Sequence, residues 1–193
     1  MKIELGWVHF LKPLVERDQQ ITNILLERGD LEDKYHPELE RVQRENGLKL
    51  QKFIINNGFP VLSNSGEEGV WLSWYVVQHA IPLPDFMQDS VIQMRLAAAQ
   101  NDYPLDLLAS TEDKISYLKG EKQIFGTYFE WVQGELKPSS IEDSTFLDHR
   151  RKSMGLPPMS DALFKIWHHR PPKNPQKRDD EFKAWLKKTG WRI

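Results

Sequence analysis

Residues 67–80, EEGVWLSWYVVQHA, leave this chain few ways to fold. Val70, Trp71, Leu72, Trp74, Tyr75, Val76 and Val77 are all apolar, so the segment reads as a helix buried on most of its circumference; an exposed helix would show a polar face. A strand through residues 74–77 fits the local run of aromatic and β-branched residues. Length decides against it, because the whole segment suits a helix and Pro82 and Pro84 stop it. On helical spacing Glu68, Trp71 or Leu72, Tyr75, and then Gln78 or His79 lie along one side. An imidazole on such a stripe needs a partner, which makes His79 the best candidate for chemistry. A hydrogen-bonded core histidine without function explains the same pattern.

With 193 residues the chain can bury about 70% of its extended surface and needs no covalent staples. It has no cysteine, which excludes disulfides, thiolate metal sites and a cysteine nucleophile, and fits a reducing compartment. No apolar run approaches the roughly 18 residues of a membrane span. The opening MKIELGWVHFLKP mixes charges where a signal peptide has a clean apolar core. A soluble, cytoplasmic protein without membrane contact is the expectation.

The 26 basic and 28 acidic residues are unevenly spread. Residues 164–193 hold nine Lys or Arg against three acids, a formal +6, which leaves the other 163 residues at −8. An acidic body argues against nucleic acid as the partner and sets the basic segment apart as a separate element.

The organisation follows from periodicity. Residues 7–28 carry Val8, Leu11, Leu14, Ile21, Ile24 and Leu25 at helical spacing, with Pro13 near the start or at a kink and Glu16, Arg17, Asp18 and Gln20 as the polar face. Pro37 suits a first helical position and Gly58 a C-terminal cap, so a helix is predicted over residues 37–57 with Leu39, Val42, Leu50, Phe53 and Ile54 inward. Ser63, Asn64, Ser65 and Gly66 make a turn and supply the cap of the central helix. Further helices are predicted over residues 86–100, 105–118 and 143–154, the last ending on Arg150, Arg151 and Lys152 where cations suit the dipole. A short helix begins at Ser160 with Leu163, Phe164, Ile166 and Trp167. The last covers residues 179–188, with Phe182, Trp185 and Leu186 on one side. Only QIFGTYFEWVQGELKP, residues 123–138, alternates like β-structure, with Gln133 and Gly134 at the turn of a small hairpin. The expected fold is therefore mainly α, a single compact domain of about six to eight helices with one hairpin. Its parts are an N-terminal helical extension (1–34), a helical domain (35–163) and a basic C-terminal extension (164–193).

The runs YHPELERVQRENGLKLQKFIINNGFP, WLSWYVVQHAI, LASTEDKISYLKGEKQIFGTYFEW and IEDSTFLDHRRKSMGLPP resemble a bacterial family of unknown function, whose members read G-W-P, Q-H-A, an Asp-Arg pair, Q-Y-G-T-Q and R-R-x-x-G-L. The likeness covers residues 35–161. It implies that Gly58, Pro60, Gln78, His79, Asp113, Gln123, Gly126, Thr127, Arg150 and Arg151 matter. Phe59, Lys114, Phe125 and Tyr128 stand where the family has Trp, Arg, Tyr and Gln, and Tyr128 would change any contact made by that last amide. The family brings no reaction.

Two function classes follow. In the first, a small enzyme acts on a small polar or anionic molecule with His79 as general acid or base. Asp113 or Gln123 orients the imidazole, Gln78, Thr127 and Tyr128 line the site, and Arg150 and Arg151 hold the substrate's charge. In the second, a non-catalytic binding protein uses the same Gln, His and Asp cluster as structural glue. No cofactor is expected: a metal site from His79, Asp113 and His149 lacks a close-spaced ligand motif, and the adjacent His168 and His169 diverge on a helix. The turn at Gly126, Thr127 and Tyr128 is a weak anion signal. The basic extension, with Pro171, Pro172 and Pro175 and the aromatic Trp167, Trp185 and Trp191, is expected to dock on the acidic body, on a second copy or on a protein partner.

Overall fold

The computed structural model describes residues 2–32, 35–132, 135–166 and 173–192. These form eight helices and one antiparallel two-stranded hairpin, a mainly α fold. Their contacts gather into two compact units, residues 2–31 with 35–104, and the short stretch at Glu32 with residues 105–192. Neither expected extension stands apart, because each buries apolar side chains within a unit.

In the first unit α1 (Lys2–Arg28) packs against α2 (Pro37–Asn57) and α3 (Leu62–His79), with α4 (Pro84–Ala98) against α3. The buried stripe of α1 is Trp7, Leu11, Leu14, Val15, Asp18 and Leu25. Asp18 thus belongs to the core face, not to the polar face expected of it: it lies seven residues from both Leu11 and Leu25. Helix α1 starts before residue 7 and runs through Pro13. Pro13 lies inside the helix at an exposed position, where it removes one helix hydrogen bond but displaces no core side chain. Across the α1–α2 seam Phe10 stacks on Phe53 at 4.0 Å and Trp7 meets the same ring edge-on at 4.8 Å. Asn46 Nδ2 donates to the Leu14 carbonyl at 2.9 Å. The limits of α2 are those read from Pro37 and Gly58, and His36 Nδ1 accepts from the Glu38 N–H.

Helix α3 breaks at Gly66, whose φ of 66° and ψ of 177° separate a first turn from the long segment that follows. Only glycine takes this conformation without strain. The predicted local cap is present, with Asn64 Oδ1 accepting from the Val61 N–H at 2.9 Å. Asp102, in the loop that follows α4, adds a second tie by accepting from the Ser63 N–H at 2.8 Å and the Ser63 hydroxyl at 2.6 Å. Past the break, Gly69, Val70, Leu72, Ser73, Val76, Val77 and Gln78 are buried. The helix is thus buried on much of its circumference, and the remaining face is open: Trp71 is 45% exposed, and Trp74, Tyr75 and His79 are half-buried.

The second unit holds α5 (Leu105–Lys119), β1 (Phe129–Val132), β2 (Glu135–Pro138), α6 (Leu147–Ser153), α7 (Met159–Ile166) and α8 (Pro175–Lys188). The hairpin pairs Phe129 with Pro138 and Val132 with Glu135, and its turn at Gln133 and Gly134 lies outside the described residues. Residues 123–128, expected as strand, form a loop with one isolated bridge from Gln123 to Ile141. Helix α6 begins later than predicted because Asp143 accepts from the Thr145 N–H in a turn of its own. On α7 Leu163 and Phe164 are exposed.

Helix α8 starts at Pro175, earlier than predicted, and its apolar side docks on its own unit. Leu186 is fully buried, and Phe182 stacks between Trp185 and Tyr117 at ring separations of 5.8 and 6.5 Å. After it, Trp191 is buried, while Arg192 donates to the Leu118 and Tyr117 carbonyls at 2.9 and 2.7 Å, satisfying the open end of α5. Trp167, His168, His169, Arg170, Pro171 and Pro172 lie outside the described residues.

Candidate functional site

The sequence-derived residues separate into two groups, one in each unit. In the first unit, His79 sits in the last turn of α3, and its Nδ1 lies 2.9 Å from Asp18 Oδ1 on α1. The Asp18 side chain is 3% exposed and that of His79 30%. An ionised carboxylate only accepts, so Nδ1 is the donor and Nε2 carries the free lone pair of the neutral ring. Nε2 makes no hydrogen bond among the described residues.

Tyr75, one turn earlier, donates its hydroxyl to the same Asp18 oxygen at 3.4 Å, and its ring lies 4.1 Å from the imidazole. Burial, then the Asp18 charge and the hydrogen bond to it, push the Tyr75 phenol far above its ordinary value, with Gln19 opposing. The Tyr35 phenol is likewise raised by burial and then by Asp18, and donates to Gln43 Oε1. Helical spacing continues the aromatic row: Trp71 lies 5.8 Å from Tyr75 and 6.5 Å from Trp74. Gln78, expected to bind substrate, is buried on α3.

Sequence reasoning missed Asp18. Its signal was positional, an acid at the spacing of a core stripe, and its chemical type hid it.

The second unit gathers the other candidates around the loop of residues 123–128. Asp113, fully buried on α5, accepts from the N–H groups of Ile124, Phe125 and Thr127 and from the Thr127 hydroxyl, at 2.8 to 3.2 Å. Gln123 spends its amide on the same loop, donating to the Tyr128 and Ser139 carbonyls and accepting from the Tyr128 N–H. Arg151 faces the carbonyl side. Its Nη1 donates to Phe125 and Gly126 at 2.7 and 3.2 Å, and its Nε to Pro157 at 2.7 Å. Burial draws the Arg151 guanidinium below its ordinary value, with Asp148 and Asp113 opposing. Arg150 Nε donates to the Ile124 carbonyl at 3.0 Å and Nη2 to that of Asp143.

These side chains therefore hold a backbone segment between a carboxylate and a guanidinium. Within the first unit Asp18 takes the orienting place beside His79, and within the second the loop's own peptide groups occupy Asp113 and Gln123. Gly126, at φ 66°, completes the loop: a Cβ there would lie 2.4 Å from Met159 Cε and 3.1 Å from Ile141 Cδ1. Tyr128 stacks on Tyr117 at 4.0 Å, and burial pushes its phenol up to about 12.

Among the described residues no group of three or more His, Asp or Glu side chains could hold a metal ion. None of their helices is long and apolar enough to cross a membrane. No family model, curated protein or solved structure matches the chain.

Proposed function

We propose that the protein is a histidine-dependent enzyme acting on a small molecule, with His79 as general acid or base and Asp18 as the residue that orients it. The observation carrying this reading is the asymmetry of the pair: a buried carboxylate holds Nδ1 at 2.9 Å, while the imidazole remains partly open to solvent. Such a carboxylate sets the tautomer, leaves Nε2 as the atom that exchanges a proton with a substrate, and restrains the ring. The anionic substrate expected from Arg150 and Arg151 loses its support, since both guanidinium groups are engaged with loop carbonyls. We place the protein in the cytoplasm on its cysteine-free composition.

A second reading, a non-catalytic binding protein, is favoured by Tyr75. Its hydroxyl also approaches Asp18, so the carboxylate has a structural use in joining α1 to α3. The test is a screen of small-molecule mixtures for consumption by proton NMR. Turnover found with the wild type should disappear in His79→Gln and fall in Asp18→Asn while both variants stay folded. Turnover unchanged by His79→Gln, or none from the wild type, overturns the catalytic reading.

A further inference from the structure

The outward face of α3 has an unusual make-up. Past the break at Gly66 its exposed or half-buried positions are Glu67, Glu68, Trp71, Trp74, Tyr75 and His79. Helical spacing places Glu67 and Glu68 one turn before Trp71, and Trp71 one turn before Trp74 and Tyr75. The helix carries no lysine or arginine. Two carboxylates thus lead into three contiguous aromatic rings, and the row ends on the imidazole held by Asp18.

Aromatic faces carry negative quadrupole potential, strongest for tryptophan, and attract a cation resting on them. The neighbouring carboxylates add attraction of the same sign and repel an anion. Trp71 is 45% exposed beside two more half-open rings, so the row presents its aromatic faces to solvent together. Size decides the kind of occupant. Rings of roughly 150–250 Å² each, open to this extent, present no more than about 300 Å², well short of the roughly 800 Å² per partner of a stable protein interface.

We propose that this face binds a small organic cation, an ammonium or quaternary ammonium compound whose charged end rests on Trp71, Trp74 and Tyr75 beside Glu67 and Glu68. The proposal rests on the small-molecule reading of His79 and names its substrate class.

Choline and its neutral isostere 3,3-dimethylbutan-1-ol, which differ in charge but hardly in shape, test it. The readout is the indole resonances of the full chain in proton–nitrogen correlation spectra. Choline should shift the Trp71 and Trp74 signals saturably, with the isostere about tenfold weaker or worse. Trp71→Ala should weaken choline by about tenfold, and Glu67→Gln with Glu68→Gln by several fold, both with an unchanged melting temperature. No saturable shift, equal binding of the isostere, or full affinity in Trp71→Ala overturns the proposal. A lysine- and arginine-rich peptide that binds over about a hundredfold more tightly than choline also overturns it, in favour of a protein partner. Binding is read without turnover, so the two ideas fail separately. Absent choline binding in a protein whose turnover needs His79 removes only the cation. Choline binding in a protein whose turnover survives His79→Gln removes only the catalytic role.

Discussion

Asp18 and His79 are 61 residues apart in sequence and 2.9 Å apart in space, the acid buried in α1 and the imidazole at the half-open end of α3. Asp18→Ala removes the acceptor for both His79 Nδ1 and the Tyr75 hydroxyl, and should cost about 1–3 kcal/mol. Chemical denaturation of Asp18→Asn, His79→Gln and the double variant checks the pairing. A coupling above about 0.5 kcal/mol is expected, and strictly additive effects would contradict it.

Asp113 should be far less replaceable. Asp113→Ala strands three loop N–H groups and the Thr127 hydroxyl, and should cost about 3–5 kcal/mol or prevent the second unit from folding. Asp113→Asn, which keeps the volume, should still speed amide hydrogen exchange at Ile124, Phe125 and Thr127. Unchanged protection at those amides would show that the loop does not depend on the carboxylate.

Gly126→Ala meets two obstacles of different origin. The left-handed backbone costs about 1–2 kcal/mol for any other residue, and the added methyl group presses on Met159 Cε. Adding Met159→Ala should relieve the contact but not the backbone strain, so the double variant recovers only part of the loss. Full recovery of thermal stability would locate the whole penalty in packing.

Burial of the Tyr117 and Tyr128 phenols makes stability depend on alkaline pH. Tyr128 has its ordinary value near 10 when unfolded and about 12 when folded, and Tyr117 is raised further, so the folded state retains phenolic protons that the unfolded chain loses. The resulting stability is fully present below pH 10 and is lost as pH rises from about 10 through 12. Denaturation midpoints across that window should fall, and Tyr128→Phe should flatten the slope. A Tyr128→Phe slope equal to the wild type's would place the effect elsewhere.

Much of the fold was legible where one local rule acted alone. Pro37 and Gly58 mark the limits of α2 because each answers to a single backbone preference. Legibility failed where a distant partner decided. The chemistry of Asp18 suggests a polar face although its spacing matches the core, and among the described residues it is His79 and Tyr75 that hydrogen-bond the buried carboxylate. Residues 123–128 have the composition of a strand, yet Asp113 takes the N–H groups that a strand partner would need. Arg150 and Arg151 do fall in the last turn of α6, but nothing local shows that their side chains reach 26 residues back to the loop. The local Asn64 cap on α3 was legible, whereas the Asp102 tie that supplements it spans 39 residues and has no local signature.

The docking of Arg192 on the end of α5 bears on the order in which the chain becomes structured during synthesis. Its carbonyl partners Leu118 and Tyr117 are made 74 and 75 residues earlier, so the last turn of α5 leaves the ribosome without its closing group. The first unit has no such delay. Asp18 meets His79 and Ser63 meets Asp102 using residues that all precede Leu105. On a ribosome adding about 5–20 residues per second, that unit can complete its contacts while α8 is still to be translated, and the second unit must wait several seconds for its own.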